Sequence, residues 1–565
     1  MNRIPRRWSA APILVVSLLT ASPQLAGAQK PAAARAEAAK PSQKTATMSS
    51  SAVDARGAEA RTAKAFEDAR KQGPLTLRAF LYAMPKGADL HNHLSGAIYA
   101  ESWIRAAGED HLCVDTKTFA FVKPEAGQFR GTSDQKAGDQ ETGDQGKNFV
   151  PICKAGQVAA SEVPRNQRLY DELIDAFSIR TFVPVSSDSG HDQFFETFDR
   201  FGGTDKKHMG EWLDEVATRA AAQNEQYLEL MDTPDFKNAA ALASRIGYDP
   251  NFVEYREKLL AAGIKDSLPS ISAALDRAEA ERKQREHCGD TDAQPACNVK
   301  VRFIYQVLRG LPPEVVFAQV LLGFEAAAAD PRWVGMNFVQ PEDGYIALRD
   351  YRIQMQMLDA LHGFYPQVHI SLHAGELAPG MVPPEDLTFH IRLAVEQGQA
   401  ERIGHGVDVM YEDRPYELLK EMASKHVMVE VNLTSNDVIL NIKGEEHPFE
   451  IYRRYGVPVA LSTDDEGVSR IDLTHEYVRA AVTYPLSYRD FKKMVRTSLE
   501  HSFLPGGSIW QISTPETLDK PVAACATQIG QDTPEGECAD LISGSEKAQQ
   551  QWELERRFHM FEASF

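Results

Sequence analysis

Residues 87–94, "GADLHNHL", place two histidines one residue apart at the end of a short apolar run. Side chains two residues apart on a β-strand point to the same side, so His91 and His93 can face one interior while Asn92 faces away. On its own this pattern fits two interpretations. The histidines can be half of a metal site, or they can be the polar end of an ordinary strand. The segments that follow along the chain decide between these two interpretations.

Seven further apolar runs of strand length follow this one. Amphipathic stretches such as "HMGEWLDEVATRAAAQNE" separate them, and this alternation predicts parallel βαβ units. Eight such strands close a (β/α)8 TIM barrel. An open doubly wound sheet is the alternative, but no G-x-G-x-x-G follows any of the strands. The seven runs are residues 226–232, 299–310, 333–340, 368–376, 401–409, 427–436 and 457–467.

The two ends of the chain differ in composition from the barrel. Three arginines (Arg3, Arg6 and Arg7), a short apolar run and a small-residue A-x-A site indicate a signal peptide, since the run is too short to span a membrane. We therefore expect an exported protein, periplasmic or secreted, with no stable membrane anchor. The predicted segments are a signal peptide at 1–28, a mobile leader at 29–62, the barrel at 63–510 with a polar insertion at about 107–165, and a C-terminal extension with a helix at 511–565.

The charge balance and the cysteines limit the class of protein. Lys+Arg number 61 against 80 Asp+Glu, for a formal net charge of -19, which argues against nucleic acid as a partner. Six cysteines without a C-x-x-C pair fit an oxidising compartment, and six allow many connectivities. Pairing by sequence proximity predicts the disulfides Cys113–Cys153, Cys288–Cys297 and Cys525–Cys538.

Chemically capable side chains recur where the predicted strands end, the face on which barrel enzymes build their sites. Three imidazoles and a carboxylate are ligands that hold Zn²⁺ and leave a position for water. No H-E-x-x-H or P-C-x-x-C is present, and the fourth strand has no lysine to bridge two metals, so we expect a single ion. The expected ligands are His91, His93, His373 and Asp464.

Three more side chains at these strand ends can act on a substrate. Glu376 lies three residues beyond His373, close to the metal, and suits a carboxyl group that shuttles protons. His405, between two glycines, can orient the water or take its proton. Asp465 directly follows Asp464 and can reach a substrate nitrogen if the backbone turns there.

These segments resemble the adenosine deaminase family of the amidohydrolase superfamily. The matching pieces are "MPKGADLHNHLSGA", "SLHAGE", "RIGHGV", "VEVNLTSN" and "LSTDDEGV", which together cover residues 84 to about 470. The signal peptide and the cysteine-bracketed insertion resemble the secreted, growth-factor-related branch.

The resemblance implies one Zn²⁺ on the four ligands named above and deamination of adenosine to inosine. Glu376 would protonate the ring nitrogen beside the amino-bearing carbon, and hydroxide positioned by His405 and Asp464 would attack that carbon. Asp465 would bind another ring nitrogen. The implied ligand is a small purine nucleoside, and the sequence leaves a homodimer open.

Two positions depart from the family pattern, and both concern substrate recognition. Ser95 stands where the family commonly has an aspartate that reaches the sugar, and Gln340 stands where a glycine usually lies beside the purine. They keep open an amidohydrolase acting on another amino-purine or a modified adenosine. The insertion keeps open a receptor-binding, growth-factor-like protein without catalytic activity.

Overall fold

The computed structural model describes residues 50–124, 129–131, 149–185, 188–204, 206–511 and 520–565. One compact unit covers Ser51–Phe565. The predicted signal peptide and residues 29–49 of the predicted leader lie outside the described residues.

Eight parallel strands form one sheet whose strand order follows the chain. A parallel bridge between Asn92 and Asp464 joins the first strand to the last, so the sheet closes into the predicted (β/α)8 barrel. The barrel strands are β1 Gly87–His93, β2 Glu225–Asp232, β3 Lys300–Leu308, β4 Trp333–Val339, β5 His369–Ala374, β6 Arg402–His405, β7 Met428–Val431 and β8 Val459–Leu461.

The last three strands are shorter than the sequence predicts. The polar stretch "NLTSN", expected to end the seventh strand, instead begins a helix at Leu433. The eighth strand ends at Leu461, and the chain turns before another short helix begins at Glu466. The turns bring polar side chains over the barrel mouth that a continued strand would have placed alternately inside and outside.

Helices surround the barrel and also precede and follow it. The first begins at Ser50, so the helical part of the chain starts earlier than the predicted leader boundary at residue 62. Before β2 they are α1 Ser50–Gln72, α2 Pro74–Ala83, α3 Leu94–Ala97, α4 Ala100–Glu109, α5 Gln167–Ala176, α6 Gly190–Phe201 and α7 Met209–Ala222.

The helices after β2 complete the βα units and add two at the C-terminus. They are α8 Lys237–Ile246, α9 Phe252–Ala261, α10 Leu268–Arg285, α11 Pro313–Ala329, α12 Tyr345–His362, α13 His390–Glu396, α14 Pro415–Lys425, α15 Leu433–Leu440, α16 Phe449–Tyr455, α17 Glu466–Ser469, α18 Leu473–Thr483, α19 Tyr488–Glu500, α20 Gly536–Ser543 and α21 Glu546–Ala563. Among the described residues, none of these helices combines the length and the apolar character that crossing a membrane requires.

The connection from β1 to β2 is much longer than the others. Its described residues include five short antiparallel strands, at Cys113–Asp115, Phe121–Val122, Phe129–Gly131, Phe149–Pro151 and Gln157–Ala159. After the polar insertion predicted at about 107–165, α5 and α6 follow before α7 packs against β2. The antiparallel pairing of the short strands separates the insertion from the parallel barrel.

The three predicted disulfides are present. They join Cys113 to Cys153, Cys288 to Cys297 and Cys525 to Cys538. Each closes a short or polar excursion outside the barrel strands, where fewer apolar contacts hold the chain.

The barrel strands are buried on both faces, as parallel strands covered by helices must be. β4 is buried along its whole length, and α11, which packs on β3 and β4, is apolar around most of its circumference. The barrel interior nevertheless contains a charged set: Arg402 lies between Glu229 and Glu430, with N–O distances of 2.7 and 2.6 Å. Buried charges of this kind have to be paired.

Candidate metal centre and active site

The polar ends of β1, β5, β6 and β8 meet at the carboxyl-terminal mouth of the barrel. The side chains of His91 and His405 are fully buried, and those of His93, His373 and Asp464 nearly so. Donor atoms of His91, His373, His405 and Asp464 all lie within 4.8 Å of one another, and His93 shares a second such group with Asp464. The structure thus brings together all four predicted ligands.

The distances between these donor atoms are short enough for all of them to bind one metal ion. The Nε2 atoms of His93 and His373 lie 3.2 Å apart, and Asp464 Oδ1 lies 3.2 Å from His93 Nε2 and 3.4 Å from His91 Nε2. Ligand bonds of about 2.0–2.1 Å in a tetrahedron separate neighbouring ligand atoms by about 3.3 Å. Two imidazole nitrogens at this distance cannot both carry a proton, and a shared cation satisfies both.

The three histidines turn Nε2 towards this point because the other ring nitrogen of each, Nδ1, is hydrogen-bonded to an oxygen atom. Glu430 Oε2 lies 2.7 Å from His91 Nδ1, and Gln306 Oε1 lies 2.8 Å from His93 Nδ1. Such oxygens place the proton on Nδ1 and leave Nε2 free to bind a metal, the usual support of a metal-binding histidine.

The third histidine has the clearest assignment. Asn337 Oδ1 accepts from the backbone N–H of His373 at 2.9 Å, which identifies that atom as the amide oxygen. The same oxygen lies 2.9 Å from His373 Nδ1, so this nitrogen donates and carries the proton. Sequence analysis missed Gln306, Asn337 and Glu430, although each is a polar residue inside an apolar strand, and this is the signal that would have found them.

Two residues at this mouth have a strained backbone. His405 and Asp464 have φ angles of 69° and 63°, a region that residues other than glycine rarely occupy. The strain is held by the barrel closure, because His93 N–H donates to Asp464 O and Asp464 N–H donates to His91 O, both at 2.9 Å. The residues that close the barrel are therefore the ligand residues themselves.

Glu376 follows β5 and is almost completely buried. Burial, with the carboxylates of Asp464 and Glu342 nearby, raises the pKa of Glu376 well above its usual value. A shift in this direction favours the protonated form of the carboxyl group, which is the form that can donate a proton.

Glu342, in the loop after β4, holds the backbone on which Glu376 stands. Its Oε1 accepts from Gly375 N–H at 3.1 Å and from His390 Nδ1 at 2.6 Å, and its Oε2 accepts from Glu376 N–H at 2.8 Å. Burial acts against ionisation, but the hydrogen bond from His390 keeps the pKa of Glu342 below its usual value. Sequence analysis noted the neighbouring Gln340 and missed Glu342.

His405 lies at the end of β6 against the rings of His91 and His373, with ring centroids 5.0 and 5.1 Å away. Burial lowers its pKa to about 3, so the ring is neutral. Its Nδ1 lies 2.8 Å from Asn436 Nδ2 and 3.6 Å from Glu376 Oε1.

Asp465 is buried beside the ligand set, packed against the one-turn helix α3. A Cβ atom added to Gly96 would lie 1.5 Å from Asp465 Oδ1, so only glycine leaves room for this carboxyl group. Burial raises the pKa of Asp465 well above its usual value, which favours the protonated form that can donate a hydrogen bond. Ser95 precedes Gly96 in α3 and is partly exposed.

Gln340 lies at the exposed rim of the mouth, with a φ angle of 84°. Its side chain turns towards the end of β3, where Oε1 accepts from Gly310 N–H at 2.8 Å. Among the predicted site residues it is the one whose polar group the structure directs to the scaffold.

A cavity of about 690 Å³ opens at the same end of the barrel. Its walls are the segment around α6, the loops after β4 and β5, and α15. Its lining includes Asp343, which follows Glu342, and Asp437, which follows Asn436, but no ligand residue. The cavity therefore lies close to the residues that support Glu376 and His405 and does not include the ligands themselves.

A closed (β/α)8 barrel with three imidazoles and a carboxylate at its carboxyl-terminal mouth defines a barrel of the amidohydrolase type. Within that class the chain belongs to the adenosine deaminase family, which its residues 214–512 match.

Curated relatives align over part of their length. The adenosine deaminase of Clostridium perfringens (strain ATCC 13124) is 36% identical over 138 residues, which are 24% of this chain and 37% of that protein. The adenosine deaminase of Escherichia coli (strain SMS-3-5 / SECEC) is 37% identical over 137 residues, 24% of this chain and 38% of that protein. The chain thus matches less than two fifths of the length of these relatives.

Solved structures with related folds show lower identity. An Arabidopsis N6-mAMP deaminase is 19% identical, with a TM-score of 0.46, over 75% of this chain and 95% of that chain. An adenine deaminase from Arthrobacter aurescens is 16% identical, with a TM-score of 0.45, over 74% of this chain and 94% of that chain.

Proposed function

We propose that this protein is a zinc-dependent deaminase that converts adenosine and 2′-deoxyadenosine, with water, to inosine and 2′-deoxyinosine plus ammonia. The observation that carries the proposal is the convergence of three Nε2 atoms and Asp464 Oδ1 next to the buried carboxyl group of Glu376, whose pKa is raised. A ligand set for one metal beside a proton donor is what hydrolytic removal of an amino group requires.

His91, His93, His373 and Asp464 would hold one zinc ion. When bound, this ion supplies Lewis-acid activation of water, whose pKa falls to about 7. The side chains around the ion carry out the proton transfers and hold the substrate and the water in place.

Glu376 gives its proton to the ring nitrogen beside the amino-bearing carbon, which makes that carbon electron-poor. The water oxygen then forms its bond to this carbon as the water gives a proton to the Glu376 carboxylate, which passes it to the amino group. The carbon–nitrogen bond breaks, ammonia leaves, and Glu376 regains a proton from the new hydroxyl group. His405 and Asp464 orient the attacking oxygen from one side. Asp465, a protonated carboxyl group, donates to another ring nitrogen and fixes the plane of the purine.

The cavity beside the metal centre offers space for the sugar. Asp343 lies 3.1 Å from His191 Nε2, and Asp437 forms an ion pair with Lys443 Nζ at 2.9 Å. The wall of the cavity therefore presents both hydrogen-bond acceptors and donors. Ser95 and Gln340 contribute at the rim in this proposal. A wall of paired charges suits the hydroxyl groups of a neutral sugar.

The proposal includes export to the periplasm or outside the cell, and membership of the secreted, growth-factor-related branch. The signal-like composition of residues 1–28 supports export, and the three disulfides are typical of an oxidising compartment. Fusing residues 1–28 to a reporter that folds only after export tests this; a reporter retained in the cytoplasm contradicts it. Gel filtration of the mature chain tests the homodimer.

The second candidate is a deaminase of another amino-purine or of a modified adenosine. Gln340 favours it, because it stands at the rim where the family usually has a glycine, with its amide oxygen held by Gly310 N–H. A receptor-binding protein without activity is the third candidate, supported by the long β1–β2 excursion. The complete ligand set argues against it.

The deciding experiment is a spectrophotometric comparison of adenosine, 2′-deoxyadenosine, adenine and AMP on zinc-loaded protein. We expect the first two to react and Glu376→Gln to lower kcat by about 100-fold or more, the range for losing a general acid. Glu385→Gln, an exposed carboxylate in the same loop, is the matched control. Turnover of another substrate with adenosine untouched supports the second candidate, and a fully active Glu376→Gln contradicts the proton-donor role.

A further inference from the structure

His405 stands out among the four histidines of the metal centre, because an N–H donor, not an oxygen, faces its Nδ1. His91, His93 and His373 each have an oxygen atom at Nδ1, whereas His405 Nδ1 faces Asn436 Nδ2 at 2.8 Å. Which ring nitrogen of His405 carries the proton follows from the polarity of this contact.

The polarity can be traced to a backbone group whose direction is fixed. The N–H of Phe449, in the first turn of α16, donates to His447 Nδ1 at 3.1 Å. A backbone N–H can only donate, so His447 Nδ1 accepts and carries no proton. Burial lowers the pKa of His447 to about 3, and the neutral ring then has its proton on Nε2.

The same reasoning continues through Asn436. His447 Nε2 lies 3.0 Å from Asn436 Oδ1, and since this nitrogen donates, the amide oxygen must face it. The amide nitrogen then faces His405, and its N–H donates to His405 Nδ1. Turning the amide over would place its N–H group against the N–H of His447 Nε2, two donors facing each other.

With Nδ1 accepting, neutral His405 carries its proton on Nε2. This atom is buried and has no hydrogen-bond partner among the described side chains. Asp464 Oδ2 lies 4.0 Å away and already accepts from Ser435 Oγ at 2.5 Å. Glu376 Oε1, at 3.6 Å from Nδ1, is too far to replace Asn436.

We infer that Asn436 and His447 are positioning residues that hold His405 as its Nε2–H tautomer, so that His405 is neither a metal ligand nor a proton acceptor. The part that concerns catalysis rests on the proposed function: His405 donates a hydrogen bond to the attacking oxygen. The proton of the attacking water then passes to a carboxylate. Glu376, once it has protonated the ring, can take this proton and deliver it to the departing amine.

The tautomer can be read without any substrate. In protein labelled with ¹⁵N-histidine, a long-range ¹H–¹⁵N correlation spectrum distinguishes protonated from unprotonated ring nitrogens, and His405→Gln assigns the signals. We expect His405 to show an unprotonated Nδ1 and a protonated Nε2 at neutral pH. A protonated Nδ1 in the wild-type protein overturns the inference.

Asn436→Asp reverses the polarity at nearly constant shape. A carboxylate accepts from His447 as before, but it also accepts from His405, which moves the proton to Nδ1. We expect the spectrum to change accordingly, and kcat to fall by about 100-fold with zinc content unchanged, as for loss of one donor to a developing oxyanion. Asn251→Asp, an exposed N-cap where aspartate serves equally well, is the matched control.

The outcomes separate the inference from the proposed function. If Asn436→Asp changes the tautomer and kcat stays the same, the donor role of His405 is wrong. If the wild-type tautomer is as inferred and no purine reacts, the proposed function fails and the positioning network stands. If Asn436→Asp does not fold, the wild-type spectrum alone decides the tautomer.

Discussion

At the scale of single residues, the site is defined as much by the partners of its histidines and carboxylates as by the histidines and carboxylates themselves. Each predicted ligand histidine has one nitrogen for the metal and one for an oxygen of the scaffold. Glu376 is likewise held through its backbone by Glu342. Removing such a partner should change function while leaving the reacting groups in place.

Glu342→Gln should slow the reaction without releasing the metal. Both carboxylate oxygens of Glu342 accept hydrogen bonds, and a glutamine would turn an N–H towards one of these donors. A buried donor left unsatisfied costs about 1–3 kcal/mol, so we expect kcat to fall by about 10- to 100-fold. Steady-state kinetics and zinc content by mass spectrometry provide the measurement, and an unchanged kcat would mean that Glu376 needs no such support.

Glu430→Gln should weaken zinc binding. The variant replaces the carboxylate that faces His91 Nδ1 with a neutral amide and also removes one of the two carboxylates around Arg402. Changes of this kind cost about 10- to 100-fold in metal affinity. Competition with a chelator measures the zinc affinity. The control is Glu401→Gln, which alters an exposed carboxylate beside Arg402 in the sequence. Equal zinc retention in the two variants would contradict the role of Glu430.

At the scale of elements, the short turns that follow the strands carry the site. β1 passes directly into α3, and β8 is followed by a turn into α17, so that Gly96 and Asp465 come into contact. Strand existence could be predicted because each apolar run is long enough to cross the barrel. The early ends of β6, β7 and β8 could not be predicted, because the local sequence does not show where closure of the barrel forces the backbone to turn.

Gly96→Ala tests the contact between these two turns. The added Cβ atom would lie 1.5 Å from Asp465 Oδ1, so either α3 or the Asp465 carboxyl group must move. Overpacking of this kind costs about 1–3 kcal/mol in the free energy of unfolding. We expect a lower Tm and, since Asp465 faces the purine in our proposal, a higher KM.

Gly363→Ala is the control for this variant. Its added Cβ atom would meet its nearest neighbours at 3.6 and 3.8 Å, which is ordinary contact. If Gly96→Ala unfolds at the same temperature and shows the same KM as Gly363→Ala, the packing argument for Asp465 fails.

At the scale of the whole molecule, one barrel core is joined by a separate apolar cluster near the C-terminus. This cluster contains Trp510, Trp552 and the disulfide pair Cys525 and Cys538. A small cluster buries little apolar surface, and a disulfide compensates by restricting the unfolded chain.

Replacing both Cys525 and Cys538 with serine should loosen this cluster and leave the catalytic centre intact. The loop between them has a sequence separation of 13, and closing a loop of this size contributes about 3 kcal/mol by loss of chain entropy. Amide hydrogen exchange should therefore accelerate in α20 and remain slow in β5, with kcat nearly unchanged. Uniform acceleration across the barrel, or loss of activity, would show that the cluster supports the site.

The sequence by itself determined the number and order of the barrel strands, the ligand residue types and the family. The apolar runs and the residues at their ends are local properties of the chain. Only the tertiary structure decided that Glu342 holds Glu376, that Asn337, Gln306 and Glu430 orient the ligand histidines, and that His447 acts on His405 through Asn436. These partners come from different strands and turns, and a hydrogen bond between remote residues leaves no spacing in a single sequence. Their roles depend on the direction of each donor, and the closed barrel fixes that direction.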